Sequence, residues 1–359
     1  MRICILGDNL SSLTVAKALV NQNIYVDIIV QQKYKNFSKL RTIGISKSNI
    51  EFFNQNIINI DKLLWKVKKI EIFKDDLKDE KIINFQNKDQ YLFSILKNNE
   101  LYKILNNNLS KSRYFKKKLI TNKKVSYIDK YKLIINCDYF NTITKKYFSK
   151  KIEKKYNSYA YATIIQHDKI LNNIATQIFT KKGPLAFLPL SSVQTSIVYS
   201  INDMFKKNTQ NIKDLIKFYN PKYKIKKIHQ IENFELSSLN LRSYHHNNIL
   251  AFGDLLHKLH PLAGQGYNMT LRDIIKLLQL IKFRIDLGLD LDSSICLDFE
   301  KEIKHKNYLF SNGIDFIYEF FNFEIKVKSD LLSETLKFLS KNKSFSNFFK
   351  KAADTGFIN

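Results

Sequence analysis

The chain contains few of the residues that interrupt or cross-link a fold: its 359 residues include nine glycines, four prolines and three cysteines. The cysteines, Cys4, Cys137 and Cys296, are isolated, and no C-x-x-C spacing occurs. An odd number of isolated cysteines gives no disulfide framework. The sequence therefore favours a reducing compartment such as the cytosol.

Long apolar runs and several catalytic motifs are also missing. No segment approaches the roughly 18 apolar residues of a transmembrane helix. The apolar core of the N-terminal MRICILGDN is too short for a signal peptide. A G-x-S-x-G elbow and a P-loop are absent, so hydrolase and kinase activities have no support. We expect a cytoplasmic protein whose place at a membrane, on the inner face, would be peripheral.

Charge is plentiful and one-sided, with 59 Lys and Arg against 33 Asp and Glu and a formal net charge of +26. Such an excess can indicate nucleic acid, an anionic membrane surface or an anionic ligand as partner. The lysines are scattered in short clusters, however, and no nucleic-acid-binding motif accompanies them. We therefore attribute the charge to a surface bias and expect no nucleic-acid partner. A hydrophobic share of 44% is enough for a sizeable core.

Three of the nine glycines lie in one stretch, residues 253–273, which reads GDLLHKLHPLAGQGYNMTLRD. An apolar run at 248–252 predicts a strand before it, and helical spacing of apolar residues predicts a helix after it. The glycine-containing loop and the helix start after Gly266 would suit an anionic ring. Asp254 would suit sugar or ribityl hydroxyls, because its carboxylate can only accept hydrogen bonds. These requirements fit FAD better than a nicotinamide cofactor.

The N-terminus predicts a strand–helix–strand unit over residues 2–30. The dinucleotide fingerprint G-x-G-x-x-G appears as GDNLSS at 7–12, so only Gly7 keeps its glycine. From this pattern alone, a structural unit without a nucleotide and a nucleotide-binding unit both stay open.

Polar residues replace the other fingerprint positions. Asn9 can adopt a left-handed conformation, and Ser12 is small enough for close helix packing. Ser11 or Ser12 could cap the helix. The acidic ribose ligand expected at the end of the second strand is missing, since Val30 or Gln31 stands there.

Further patterns predict a second, β-rich region. Residues 158–200 contain β-rich segments separated by turn-like residues, which suggests an antiparallel sheet. Long helical patterns follow over 293–323 and 330–350. The last pattern fits either a basic amphipathic surface for a membrane or partner or a helix packed on its own domain. His257 and His260 are three residues apart, but zinc needs more ligands, so we expect no metal site. Further strands are expected at 67–73, 82–85, 91–95 and 132–138, and helices at 46–53, 98–109 and 205–219.

The 253–273 motif resembles the FAD-dependent aromatic hydroxylases of ubiquinone biosynthesis, which have the para-hydroxybenzoate-hydroxylase-like fold. Residues 41–46, 98–101, 175–179 and the GPLAFLP stretch at 183–189 resemble that family in the same order. The resemblance implies an α/β fold: a Rossmann-like FAD-binding domain interleaved with a mostly antiparallel β-sheet substrate domain, plus C-terminal helices. We assign 1–65, 94–157 and 247–292 to the FAD domain, 66–93 and 158–246 to the substrate domain, and 293–359 to the helical region.

The resemblance also implies roles for residues. Asp254 would hold the ribityl chain, Pro261, Gly264, Gln265, Gly266 and Asn268 would line the flavin ring, and Arg41 would contact the cofactor. Gly7, Asn9 and Ser12 would face the ADP half. No catalytic acid or base is implied. Tyr139 replaces the glycine of an aspartate–glycine motif at Asp138, a change that is expected to strain or reshape that turn.

The function implied is an FAD-dependent monooxygenase that hydroxylates the aromatic ring of a polyprenylated phenol in ubiquinone biosynthesis, with NAD(P)H and O2. The first alternative is a non-catalytic homologue that acts as a scaffold in a membrane-associated quinone-biosynthesis assembly. It is motivated by the altered fingerprint and implies other proteins of that pathway as partners. A second alternative is an FAD-dependent reductase of prenyl chains.

Overall fold

The computed structural model describes residues 1–31, 40–74, 81–86, 91–120, 130–203, 211–260 and 264–327, and residue 354. Within these residues the strands form three sheets, of six, nine and three strands. The fold is mixed α/β, as the sequence predicts. The predicted helix at 330–350 lies outside the described residues.

The six-stranded sheet is built on the N-terminal unit. Its order is β16-β17-β9-β1-β2-β8, and all pairs are parallel except β16 with β17. Residues 3–6 of the first strand are all buried, which is typical of a parallel sheet covered on both faces. The strands are β1 (Arg2–Leu6), β2 (Tyr25–Val30), β8 (Phe115–Leu119), β9 (Ile134–Asn136), β16 (His245–His246) and β17 (Ile249–Ala251).

The nine-stranded sheet is mostly antiparallel, and one parallel pair, β5 with β11, joins its first hairpin to the rest. Its longest strand, β10, has an irregular register between Lys155 and Tyr159, and Asn157 there has a φ of 48°. The strands are β5 (Lys69–Lys74), β6 (Lys81–Gln86), β10 (Lys151–His167), β11 (Ile174–Thr180), β12 (Gly183–Pro189), β13 (Gln194–Asn202), β14 (Ile225–Ile228), β15 (Glu232–Leu241) and β18 (His257–Lys258).

The strands of the small sheet alternate along the chain with those of the large ones, and its order is β3-β7-β4. Its strands are β3 (Thr42–Ser46), β4 (Trp65–Val67) and β7 (Phe93–Lys97). The single strand expected at 67–73 is wrong in one respect. It is divided at Lys68, whose N–H bonds the carbonyl of Asn173, so that β4 and β5 join different sheets.

Several helices pack on the six-stranded sheet, and the helix Ile212–Phe218 packs on central strands of the nine-stranded one. The helices are α1 (Leu10–Asn21), α2 (Lys47–Asn56), α3 (Asn98–Ser110), α4 (Thr142–Tyr147), α5 (Ile212–Phe218), α6 (Gly266–Asp286) and α7 (Ser293–Val327). Helix α1 packs against α3 and α6, and α6 packs against α7. Each aliphatic side chain buried at these contacts stabilises the fold by roughly 1.5–3 kcal/mol. In the described part of the chain, no helix combines the length and apolarity needed to span a bilayer.

The proposed division into domains stays a prediction. The two large sheets correspond to its two principal units, but strand β10 begins at Lys151 and so runs across the expected boundary between 157 and 158. The sequence KIEKKYNS at 151–158 is polar, so its periodicity did not indicate a strand there.

Candidate functional site

Three loops meet at the carboxyl edge of the parallel sheet, where open α/β sheets bind their ligands. They follow β1, β9 and β17 and begin at Gly7, Cys137 and Phe252. A Cβ at Gly7 would lie 3.1 Å from the Cβ of Asp138. A Cβ at Gly253 would lie 2.7 Å from the Cβ of Ser11. The two glycines therefore let the three loops and the start of α1 approach one another.

Asn9 is the N-cap of α1. Its side-chain oxygen accepts from Ser12 N–H at 2.9 Å, and Ser12 Oγ accepts from Asn9 N–H at 2.8 Å. This capping box satisfies two of the amides that a helix start leaves open. The sequence expectations are therefore corrected. Asn9 has a φ of −114° rather than a left-handed one, and neither Ser11 nor Ser12 is the cap.

The Asn9 side chain also ties the helix to the sheet, since its Nδ2 donates to the carbonyl oxygen of Cys137 at 2.7 Å. The second glycine of a dinucleotide fingerprint serves to let the backbone approach the pyrophosphate. Here the side chain at that position is directed toward Cys137. The first-turn amides of Leu10 and Ser11 precede any intrahelical acceptor and remain available to an anion.

The acidic residue within β2 serves structure. Asp27 is buried and accepts from Arg2 at 2.7 Å, from Tyr131 Oη at 2.6 Å and from Lys118 at 3.1 Å. Burial by itself would raise the pKa of Asp27, but the hydrogen bonds from Tyr131 and Lys118 hold that pKa below its ordinary value. Asp27 is thus no ribose ligand.

The turn after β9 is unstrained at Tyr139. The described non-glycine residues with positive φ are Asn23, Asn157 and Asn247. Of the two outcomes expected at Tyr139, strain or a reshaped turn, left-handed backbone strain is therefore absent. Asp138 Oδ1 accepts from Phe140 N–H at 2.8 Å, which closes an Asx-type turn without a glycine.

Asp254 lies in a short 3₁₀ turn, Gly253–Leu255, directly after β17. Its side chain is exposed and makes no hydrogen bond or ion pair with the described residues. The pKa of the nearby Cys137 thiol is raised mainly by burial and further by the charges of Asp254 and Asp138. An unpaired carboxylate at this edge is available to accept hydrogen bonds from ligand hydroxyls.

Asn268, in the first turn of α6, joins the glycine loop, Gly264–Gly266, to β3 and α2. Its Nδ2 donates to the carbonyl of Gly44 at 3.0 Å, and its Oδ1 accepts from Ser46 N–H and Asn49 Nδ2, both at 3.0 Å. The side chain is 2% exposed. Its Nδ2 also lies 3.5 Å from the carbonyl oxygen of Gly264. Asn268 therefore fixes the position of the loop relative to β3, and its expected part in lining the flavin ring stays a prediction.

Gly264 of the glycine loop lies beside Gly44 of β3. Gly264 has a φ of 62°, and a Cβ built on it would lie 3.6 Å from the backbone nitrogen of Gly44. A Cβ at Gly266 would have nothing within 4 Å. The backbone at Gly264–Gly266 is thus open to a flat group, and α6 begins there as predicted.

Three other residues are predicted to contact the cofactor: Gln265, Arg41 and Pro261. Gln265 is buried, and its Oε1 accepts from Arg272 at 3.3 Å. Arg41 is exposed, and its carbonyl accepts from Asn98 N–H at 3.0 Å. The hydroxyls of Thr42 and Ser196, 2.9 Å apart, connect this region to the nine-stranded sheet. Pro261 lies outside the described residues.

A buried network that the sequence analysis did not identify lies behind the loop. His257 Nε2 is 2.5 Å from Asp273 Oδ2, and Asn307 Nδ2 donates to Asp273 Oδ1 at 3.0 Å. His257 and Asp273 stand near the two ends of the 253–273 stretch, so their pairing closes the stretch on itself. Their separation of 16 residues follows no helical or strand period, and therefore gave no signal.

His260 packs between two aromatic rings. Its ring centroid is 4.8 Å from that of Tyr156 and 4.1 Å from that of Tyr318. Burial lowers the pKa of His260 to about 3, so this imidazole is neutral at physiological pH. His257 and His260 thus have separate structural partners.

These features together fit FAD. The edge offers first-turn amides for phosphates, an unpaired carboxylate for hydroxyls and an open glycine backbone at a helix start for a planar ring. A Cβ at Gly264 would be in ordinary van der Waals contact with Gly44, so a larger side chain there would narrow the space. The individual roles of all the predicted cofactor-binding residues, Gly7, Arg41, Asp254 and Gln265 among them, stay predictions.

Comparison with known families agrees with this fit. A family model described as "FAD binding domain" matches residues 132–284. The match begins before β9 and ends within α6, so it includes Asp138, Asp254 and the glycine loop.

Several curated proteins with similar sequences have names that refer to ubiquinone biosynthesis. The ubiquinone biosynthesis monooxygenase COQ6 of Schizosaccharomyces pombe is 22% identical over 273 residues, covering 63% of this chain and 57% of that protein. The 3-demethoxyubiquinol 3-hydroxylase of Escherichia coli is 26% identical over 153 residues, covering 41% of this chain and 39% of that protein. The chain spans about half the length of the curated relatives it matches.

Solved structures match nearly the whole chain. The p-nitrophenol 4-monooxygenase PnpA of Pseudomonas putida has a TM-score of 0.75 at 12% identity, covering 99% of this chain and 98% of that one. HpxO of Klebsiella pneumoniae, solved with FAD and uric acid, has a TM-score of 0.72 at 11% identity, covering 99% and 96%. At such identities these likenesses show the shared fold.

Proposed function

This chain is a relative of the FAD-dependent hydroxylases of ubiquinone biosynthesis, as its sequence predicts, and we propose on that premise that it is itself a monooxygenase. Its reaction would be hydroxylation of the aromatic ring of a polyprenylated phenol, with NAD(P)H as electron donor and O2 as the source of the oxygen atom.

The observation that carries this proposal is that Asp254 and the glycine loop lie at the same edge of the sheet. Asp254 has no described partner, and Gly264–Gly266 presents open backbone at the start of α6. Together these features suit the ribityl chain and the ring of one flavin, the cofactor that the proposed reaction requires.

Each residue would then have a defined task. The carboxylate of Asp254 accepts hydrogen bonds from ribityl hydroxyls. The N–H groups at the start of α6 face the pyrimidine side of the ring, where the positive end of the helix favours negative charge. Asn268 keeps Gly264 at its distance from Gly44 through its three hydrogen bonds of 3.0 Å. When bound, FAD supplies the redox chemistry, taking reducing equivalents from NAD(P)H and delivering one oxygen atom of O2.

The substrate would approach from the nine-stranded sheet. The hydrogen bond between Thr42 and Ser196 brings this sheet against the strand that carries Gly44. A polyprenyl chain is a membrane component, so we also propose that the protein acts in the cytoplasm at the inner face of a membrane. Other proteins of quinone biosynthesis would be its partners there.

The proposal is tested by turnover of a labelled substrate. The purified full chain is incubated with FAD, a phenol bearing a short prenyl chain, and NADH or NADPH under ¹⁸O2. We expect a hydroxylated product that carries one ¹⁸O atom, and oxidation of the nicotinamide that depends on added FAD. Label-free product would exclude the monooxygenase reaction.

The scaffold alternative makes the opposite prediction. A non-catalytic homologue would not oxidise NAD(P)H with any phenol, although it could still associate with other pathway proteins. Oxidation of NAD(P)H without oxygen transfer, accompanied by loss of a prenyl double bond, would instead favour a prenyl reductase.

A further inference from the structure

A cavity of about 850 Å³ lies between α7 and the end of β15. Its lining includes residues from 240–245 and 297–308, together with Ile152 of β10, and it includes none of the proposed FAD ligands. The volume falls in the range of roughly 300–1,000 Å³ that small-molecule sites occupy. The cavity is thus large enough for a ligand of its own.

One wall of the cavity is apolar and open. Ile152, Leu297 and Tyr308 line it and are 45%, 46% and 45% exposed. Leu297 and Tyr308 belong to α7, whereas Ile152 projects from the start of β10. Large apolar side chains from two elements that share one cleft are a favourable surface for a hydrocarbon chain.

The rim of the cavity carries positive charge. Arg242 and Lys301 line it, and neither forms an ion pair with any residue that the structure describes. The acidic residue of the lining, Glu300, is already occupied. Its Oε1 accepts from Lys304 at 2.6 Å, and its Oε2 accepts from Tyr244 N–H at 2.9 Å. The charge left to meet a ligand is therefore cationic.

We propose that this cavity binds an anionic single-chain amphiphile: a hydrocarbon chain with a phosphate head group. The chain would lie against Ile152, Leu297 and Tyr308, and the phosphate would be bound by Arg242 and Lys301. A neutral lipid would leave both cations unmatched, and free phosphate would leave the apolar wall in water. The combination of surfaces thus selects a ligand that has both parts.

The direct test is calorimetric titration of the full chain with decyl phosphate below its micelle concentration. We expect saturable binding at one site, and binding at least tenfold weaker for decanol and for inorganic phosphate. Octyl phosphate should bind about tenfold more weakly than decyl phosphate, because each buried methylene contributes about 0.8 kcal/mol. Equal affinity for decanol and decyl phosphate would overturn the proposal, as would the absence of saturable heat.

Variants with matched controls assign the site. The double variant Arg242→Gln/Lys301→Gln should weaken decyl phosphate binding at least tenfold, while Lys213→Gln, an exposed position on α5, should leave it unchanged. Leu297→Gln should weaken it, while Leu309→Gln on the same helix, 59% exposed and outside the cavity lining, should not. All these positions are exposed, so folding should be preserved. Unchanged binding in the double variant would refute the assignment.

Two sources of such a ligand are distinguished by a second measurement. Sedimentation with phosphatidylglycerol vesicles, compared with phosphatidylcholine vesicles, reports on a bilayer lipid, whereas decyl phosphate in solution reports on a free amphiphile. Loss of vesicle binding in the Arg242→Gln/Lys301→Gln variant would support the site with a bilayer lipid as ligand. Vesicle binding that survives this variant, without any binding of decyl phosphate, would contradict it.

Discussion

Replacing Asn268 by alanine removes the connection between the glycine loop and β3. Three hydrogen bonds of 3.0 Å would be lost, to Gly44, Ser46 and Asn49, at a side chain that is 2% exposed. At about 1 kcal/mol for each bond, the loss is about 3 kcal/mol. Alanine has the better helix propensity and returns about 0.5 kcal/mol. We therefore expect a net loss of about 2–3 kcal/mol in the free energy of unfolding.

The assay combines urea unfolding with hydrogen exchange of individual amides. The Ser46 amide, which bonds Asn268 Oδ1 in the native chain, should exchange faster in Asn268→Ala, because local opening no longer breaks that bond. FAD affinity should fall at least tenfold, since the Gly264–Gly44 approach is no longer fixed. Asn107→Ala, an exposed position on α3, is the control with the same gain in helix propensity. Unaltered Ser46 exchange and unaltered stability in Asn268→Ala would refute the reasoning.

Three further predictions concern stability. Gly253→Ala should lower the free energy of unfolding by more than about 2 kcal/mol, because the new Cβ would lie 2.7 Å from Ser11 Cβ at a residue whose φ is 64°. The control is Gly288→Ala, where φ is 67° and a Cβ would have nothing within 4 Å. Thermal unfolding should show a loss of about 1 kcal/mol for this control. The pKa of Asp27 is lowered in the folded chain, so the stability that this carboxylate contributes is present above about pH 4 and is lost as the pH falls further. In urea titrations, the free energy of unfolding of Asp27→Asn should therefore depend less on pH in the acid range. His260 stays neutral in the folded chain down to about pH 3, whereas a histidine of the unfolded chain is protonated below about pH 6.5. The free energy of unfolding should therefore fall as the pH drops below about 6.5, by up to about 1.4 kcal/mol per pH unit. His260→Phe should flatten this pH dependence, while His305→Phe, at an exposed position, should not.

The local features of the candidate site could be predicted from sequence. Glycine spacing and helical periodicity in 253–273 are short-range signals, so the strand, the loop and the start of α6 at Gly266 follow from them. The fold class followed from the resemblance of several motifs in order. Asp254 was singled out because its carboxylate can only accept hydrogen bonds, and its role toward the ribityl chain stays a prediction.

Features that depend on distant contacts could not be predicted. The division at Lys68 arises because Asn173, far along the chain, accepts its N–H. The pairing of His257 with Asp273 needs the loop to fold back on α6. The sequence favoured a left-handed conformation for Asn9 and a serine cap, whereas Asn9 itself caps α1 and donates to the carbonyl of Cys137. In each case the deciding partner is set by the tertiary fold rather than by local propensity.

The central claim is that the 253–273 stretch holds the flavin of a bound FAD. The most direct measurement is a titration of the purified chain with FAD, followed by the visible absorption and fluorescence of the flavin, in the native protein and in Asp254→Ala. Asp214→Ala, an exposed carboxylate on α5, is the matched control. We predict saturable binding in the native chain and in Asp214→Ala, and its loss in Asp254→Ala. No binding at high micromolar FAD, or equal binding in Asp254→Ala, would contradict the account.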